Sequence, residues 1–145
     1  MYDDVLVPTD GSEGTAETLR HAVDLARNHD ATLHALGVVD ERKAMSLPAE
    51  RRDEAMETMH RRAERAVDEV AMRAEEADVA VRTAVREGAP AERILDYAED
   101  VDVIVIGTHG RSDHERYVRL GSVAQRVVEN ARVPVFVVHI DGDTS

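Results

Sequence analysis

The 145-residue sequence contains no cysteine, so neither a disulfide framework nor a thiolate metal site can contribute to its fold or chemistry. Their absence leaves the redox compartment open. There is no apolar run near the roughly 18 residues needed to span a membrane. Residues 1–9 also lack the basic and long apolar regions of a secretion signal, so the expected location is the cytoplasm. Lysine occurs once, at Lys43, and bulky aromatics are nearly absent: aromatic residues are 3% of the chain. A surplus of 30 acidic over 18 basic residues gives a net charge of −12, which excludes a general nucleic-acid or anionic-membrane surface by repulsion. A small, locally compensated anion site is still compatible with it. Arginine as nearly the sole cation among abundant carboxylates is a halophile-like bias, and the expectation is a salt-adapted surface whose self-repulsion is screened by salt.

What is present reads as one domain over residues 1–145, a length that buries roughly two-thirds of the unfolded surface in a single core. The apolar run Val5 to Thr9, closed by Asp10-Gly11, predicts a buried strand and a turn. Ser12 is placed to cap a helix whose inner stripe is Ala16, Leu19, Ala22, Val23 and Ala26. A second strand is expected over Thr32 to Val39, then a polar stretch Asp40 to Glu50 in which Pro48 marks loop or helix entry. Met56, Met59, Ala63, Ala66, Val67, Val70, Ala74 and Ala77 recur at spacings of three and four between Glu50 and Ala77. That spacing predicts a long helix; Arg73 interrupts a coiled-coil seam, so the stripe is expected to pack on a sheet.

Val79 to Arg86 alternates like a half-exposed strand, and Ala89-Pro90 opens a helix carrying Ile94, Leu95 and Ala98 inward. Val101 to Ile106 reads as a buried central strand. A loop from Gly107 to Leu120 leads to a helix starting at Gly121-Ser122, with Val123, Val127, Val128 and Ala131 inward. Val133 to His139 is the last strand, and the polar residues 141–145 form a frayed tail. The alternation is that of an α/β fold with a five-stranded, doubly wound parallel sheet and helices on both faces. Arg82 and Arg86 belong at an edge, whereas the second strand has no polar face, which favours the order 3-2-1-4-5 over 2-1-3-4-5. Winding then reverses between strands 1 and 4, where Asp10 and Gly107 end their strands and where such sheets bind ligands.

Gly107-Thr108-His109-Gly110-Arg111-Ser112 and Gly121-Ser122-Val123 place glycines after a buried strand and at a helix start. Glycine lets backbone approach phosphate closely, and the helix start presents N–H donors and a partial positive charge. Glycine is also common in ordinary strand-to-helix connections, so the bare residues permit either role. Neither a Walker A loop nor Gly-x-Gly-x-x-Gly is present.

These residues resemble the universal stress protein family, whose ATP-binding members carry Gly-x2-Gly-x9-Gly-Ser/Thr after the fourth strand. Val-Pro-Thr-Asp-Gly-Ser-Glu at 7–13, Val38-Val39-Asp40 and Val133-Pro134-Val135-Phe136-Val137-Val138 are similar to that family as well. The resemblance spans the whole chain. It implies ATP as ligand, with or without Mg²⁺, in a site of Pro8, Thr9, Asp10, Val38, Val39, Gly107, His109, Gly110, Arg111, Gly121, Ser122 and Val123. In that site Asp10 contacts the adenosine, the backbone near Val38 meets the adenine edge and Gly107 lies by the ribose; Gly110, Arg111, Gly121, Ser122 and Val123 surround the phosphates. The chain departs from the pattern in one respect: ten residues, not nine, separate Gly110 from Gly121, and Asp113 stands where a further glycine is frequent. The extra residue is either absorbed as a bulge or displaces Gly121.

Asp10 has a second reading as a turn residue, and His109 reads as a loop-ordering residue more than as a base. No catalytic residue and no metal site are assigned, since His21, His29, His34, His60, His114 and His139 have no metal-like spacing. The expected function is therefore a nucleotide-binding stress-response or regulatory protein. It is expected to act as a homodimer through the uncovered last strand, Val133 to Val138. Alternatives are a dimeric interaction module without nucleotide, or a slow ATP hydrolase.

Overall fold

The computed structural model describes residues 1–10, 14–108 and 120–139. Its first strand, β1 (Asp4–Pro8), forms where Val5, Leu6 and Val7 can all be buried, each fully inaccessible to solvent. Helix α1 (Gly14–His29) returns the chain to β2 (Thr32–Val39). A short helix α2 (Glu41–Met45) precedes the long α3 (Ala49–Glu76), which leads to β3 (Val81–Glu87). Pro90 opens α4 (Pro90–Tyr97), its missing N–H costing nothing in a first turn. A single 3₁₀ turn, Ala98–Asp100, enters β4 (Val103–Gly107). Helix α5 (Ser122–Asn130) and β5 (Val135–Val138) complete the described chain.

The five strands are parallel in the order β3-β2-β1-β4-β5, as the arginines of the third strand required. Arg82 and Arg86 are exposed on that edge strand, while β2 is buried along nearly its whole length. Side chains alternate across the sheet into two cores. Val5, Val7, Leu33, Ala35, Val103 and Val105 pack with α1 and α3 on one face. Leu6, Leu36, Ile104 and Ile106 pack with α4 and α5 on the other. The stripe Ala63, Ala66, Val67, Val70 and Ala74 lies on the sheet, so α3 is a packing helix and not a coiled-coil strand. Gly37 permits this packing, because a Cβ there would stand 3.2 Å from Cβ of Ala63.

Several local expectations are corrected. The polar stretch after β2 contains α2, made possible by Asp40, whose carboxylate caps the N–H of Arg42. Ala16 is exposed, because it lines an open groove between α1 and α3; Thr18 is buried with Leu19 in its place. Val128 is 40% exposed, lying on the flank of α5 away from Ala124 and Val127. Val79 is buried in the turn before β3, not in the strand, and Val101 precedes β4 in the same way. The last strand is shorter than Val133 to His139, since Pro134 gives no N–H and pairing begins at Val135. The proposed cap Ser12 and the tail 141–145 lie outside the described residues.

Candidate functional site

The crevice follows from the pairing registers. Parallel pairing joins β1 to β2 through Pro8↔Leu36, and β4 to β5 through Gly107↔Val138. Between β1 and β4 the register comprises only Val5↔Val103 and Leu6↔Ile104. Thr9 gives its N–H to Leu36 O, so by strand alternation Pro8 turns its nitrogen toward β4, where a proline has no hydrogen to offer. The sheet is thus split at its carboxyl end between β1 and β4, the point at which winding reverses.

Four groups of residues reach this split from different elements. Pro8, Thr9 and Asp10 end β1, with Thr9 buried and Asp10 exposed. Val38 and Val39 end β2. The carbonyl of Val39 accepts the N–H of Gly88 on the β3 side, and its side chain is buried. Alternation turns the N–H and C=O of Val38 the other way, toward β1 and past the Pro8↔Leu36 pair. Gly107 ends β4, and Gly121 donates its N–H to the carbonyl of Thr108, which brings the start of α5 back to the strand end. Gly121 is buried, Ser122 is exposed and Val123 is half-buried against the α4–α5 core. His109, Gly110 and Arg111 lie outside the described residues, as does most of the ten-residue spacer.

The electrostatics at the start of α5 differ from those at the other helix starts. α1, α2, α3 and α4 carry Glu17, Glu41, Glu50 and Glu92 in their first turns, where a carboxylate is favoured by the helix dipole. α5 carries no acidic residue there, and its N-cap residue, Gly121, has no side chain with which to cap. In a chain with 30 acidic residues, this is the one α-helix start among the described residues whose first turn holds no carboxylate, an arrangement that suits an anion.

Beyond the crevice, Asp40 holds Arg42 in a two-point ion pair, Nε to Oδ1 at 2.9 Å and Nη2 to Oδ2 at 2.8 Å. The bonded guanidinium lowers the Asp40 carboxyl below its ordinary 3.8, against the opposing effect of burial. In β2 His34 is buried, with Nδ1 2.7 Å from the Tyr97 hydroxyl and Nε2 2.8 Å from Asp4. Nothing local in the sequence marks this role for His34, because its partners lie 30 and 63 residues away. Among the described residues no group of three metal-ligating side chains occurs, and no helix is long and apolar enough to cross a membrane.

A model of the universal stress protein family matches residues 1–139. A universal stress protein of Methanocaldococcus jannaschii is 40% identical over 141 residues, covering 95% of this chain and 82% of that protein. The solved structure of another protein of that organism, MJ0577, superimposes with a TM-score of 0.84 at 30% identity, covering 96% of each chain. At 24% and 23% identity the likeness is one of fold; these are a universal stress protein in complex with cAMP and one from Archaeoglobus fulgidus in complex with dAMP, with TM-scores of 0.67 and 0.69. The family match over residues 1–139, the relatives and the 3-2-1-4-5 sheet agree: the chain belongs to the universal stress protein family.

Proposed function

We propose that the chain binds an adenine nucleotide, ATP in the first instance, in the split between β1 and β4, and that it acts as a regulatory stress-response protein of the cytoplasm. The observation that carries this reading is the start of α5, where no carboxylate stands in the first turn beside Gly121 and Ser122 among the described residues. Phosphate oxygens would accept the N–H groups there and the Ser122 hydroxyl. The turned-out amide edge of Val38 would offer a donor and an acceptor to the adenine rim, and Asp10 would contact the adenosine. The cAMP and dAMP complexes of two proteins of the same fold support the ligand class. Gly110 and Arg111 would add phosphate contacts, with or without Mg²⁺ to offset the phosphate charge.

The chain would work as a homodimer. Of the two sheet edges, β3 exposes Arg82, Arg86 and Glu87, whereas β5 carries no charge and leaves Phe136 44% and Val137 39% exposed. An uncharged edge invites pairing, and antiparallel contact between two copies of β5 sets apolar residues opposite each other.

Equilibrium dialysis of the full chain against ATP in molar KCl tests the reading. Saturable binding at or below millimolar ATP is expected, weakened about tenfold or more in Ser122→Ala by loss of a hydrogen bond to a charged group. Absence of binding would leave the interaction module as the function; sustained phosphate release abolished by Asp10→Ala would establish a hydrolase.

A further inference from the structure

Two backbone hydrogen bonds join the crevice to the free edge of the sheet. Thr108 donates its N–H to the carbonyl of Val138 at 3.0 Å, and Gly121 donates its N–H to the carbonyl of Thr108. Gly107 is itself in register with Val138. The final residue of β5 is therefore one hydrogen bond from the end of β4 and two from the start of α5. Alternation along β5 turns the amides of Pro134, Phe136 and Val138 toward β4, as the bond from Ile104 to Pro134 O shows. The N–H and C=O groups of Val135 and Val137 consequently face outward, available to a second copy. Such a copy fits this edge better than any acidic surface of a chain with net charge −12, because Val-Phe-Val-Val brings no like charges together.

We infer that nucleotide occupancy and β5 pairing are thermodynamically coupled through Thr108, each strengthening the other; this rests on the nucleotide and dimer readings above. Pairing fixes the backbone of Val137 and its neighbour Val138, which fixes the carbonyl that holds Thr108. Thr108 in turn positions Gly121 and the N–H groups of α5. A ligand bridging Gly107 and the start of α5 orders the same three residues from the other side. Ordering done once serves both equilibria, and linkage makes the effect reciprocal.

The test uses the full chain in molar KCl. Sedimentation equilibrium measures the dimer dissociation constant with and without ATP, and dialysis measures ATP affinity at protein concentrations below and above that constant. ATP at saturation is expected to tighten the dimer about fivefold or more, and, because a dimer carries two sites, each site of the dimer to bind ATP more tightly than the monomer by the square root of that factor, about twofold or more. V137E, which sets carboxylates against each other across the paired edge, should be monomeric and bind ATP with the weaker, monomer constant. If V137E does not fold, the wild-type dilution series decides alone. Equal ATP affinity in monomer and dimer would overturn the coupling while leaving the nucleotide reading intact. No ATP binding at all, read from dialysis, would overturn both, and a monomer at every concentration would overturn the coupling through its dimer half.

Discussion

The Nδ1 of His34 lies 2.7 Å from the hydroxyl of Tyr97, joining the middle of β2 to the last turn of α4 across 63 residues. Nε2 of the same ring meets Asp4 at 2.8 Å, and Arg86 lies 5.8 Å from the centre of the Tyr97 ring. A polar chain thus ties β2 to β1, α4 and β3, while the sheet is split at its carboxyl end between β1 and β4.

Tyr97→Phe should destabilise the fold by about 1–3 kcal/mol, because it leaves a ring nitrogen of a buried histidine without its partner. Burial also raises the Tyr97 hydroxyl above its ordinary 10.0, so the folded state resists ionisation. The sign is that of a raised value: the contribution is complete below pH 10 and is lost as the pH rises through the folded-state value. Urea denaturation from pH 8 to 11 should show wild-type stability falling at the alkaline end, and a flatter profile in the variant. Identical profiles would remove Tyr97 from the account.

Gly37→Ala should cost about 1–3 kcal/mol by overpacking. Its added Cβ would stand 3.2 Å from the Ala63 Cβ and 3.3 Å from both the Ala63 carbonyl and Val67 Cγ1, so α3 itself must retreat from β2. A fall of about 2–4 °C in melting temperature per kcal/mol is the expected readout. An unchanged melting temperature would mean that α3 is more loosely seated than its buried alanines indicate.

Asp40→Asn should blunt the acid sensitivity of the region around α2. The Asp40 carboxyl is lowered, so its contribution is present above pH 3.8 and disappears as the pH falls through the depressed folded-state value. Asp40→Ala should remove the cap of α2 outright, at about 1 kcal/mol. Amide exchange of residues 41–47, followed from pH 6 downward, checks both: protection should fade on acidification in the wild type and be low throughout in Asp40→Ala.

Thermal melting from dilute buffer to molar KCl should rise with salt, since 30 carboxylates and 18 basic side chains give a net −12 that only screening relieves. The ion pairs of α3, Arg61 with Glu57 and Arg73 with Glu69, are exposed and weakened by salt, so they oppose the trend only slightly. A melting temperature independent of KCl would reject salt adaptation.

Elements built from contiguous apolar residues were legible before any coordinates. Val103, Ile104, Val105 and Ile106 have no polar neighbour to expose, so they had to be a central strand, and Arg82 with Arg86 had to stand at an edge. The glycines at 107 and 121 marked the ends of the candidate site for the same local reason. Less legible were the features that depend on partners. Helix α2 is five residues, Glu-Arg-Lys-Ala-Met, with one buried side chain, too short for a periodic signal and dependent on the Asp40 cap. Ala16 and Val128 keep helical spacing, yet stand exposed where none of the described elements covers them.

By itself the sequence determined the number and type of the main elements, the strand order and the glycine-bearing connection after β4, because hydrophobic period, edge charge and turn chemistry are local. Only the tertiary structure decided that β1 and β4 part after Leu6↔Ile104, that the start of α5 returns to Thr108, and that Val138 is hydrogen-bonded to the same residue. Those are relations between backbone groups 30 to nearly 100 residues apart or across a loop. They are set by which pairings remain once the two cores on either face of the sheet have been filled.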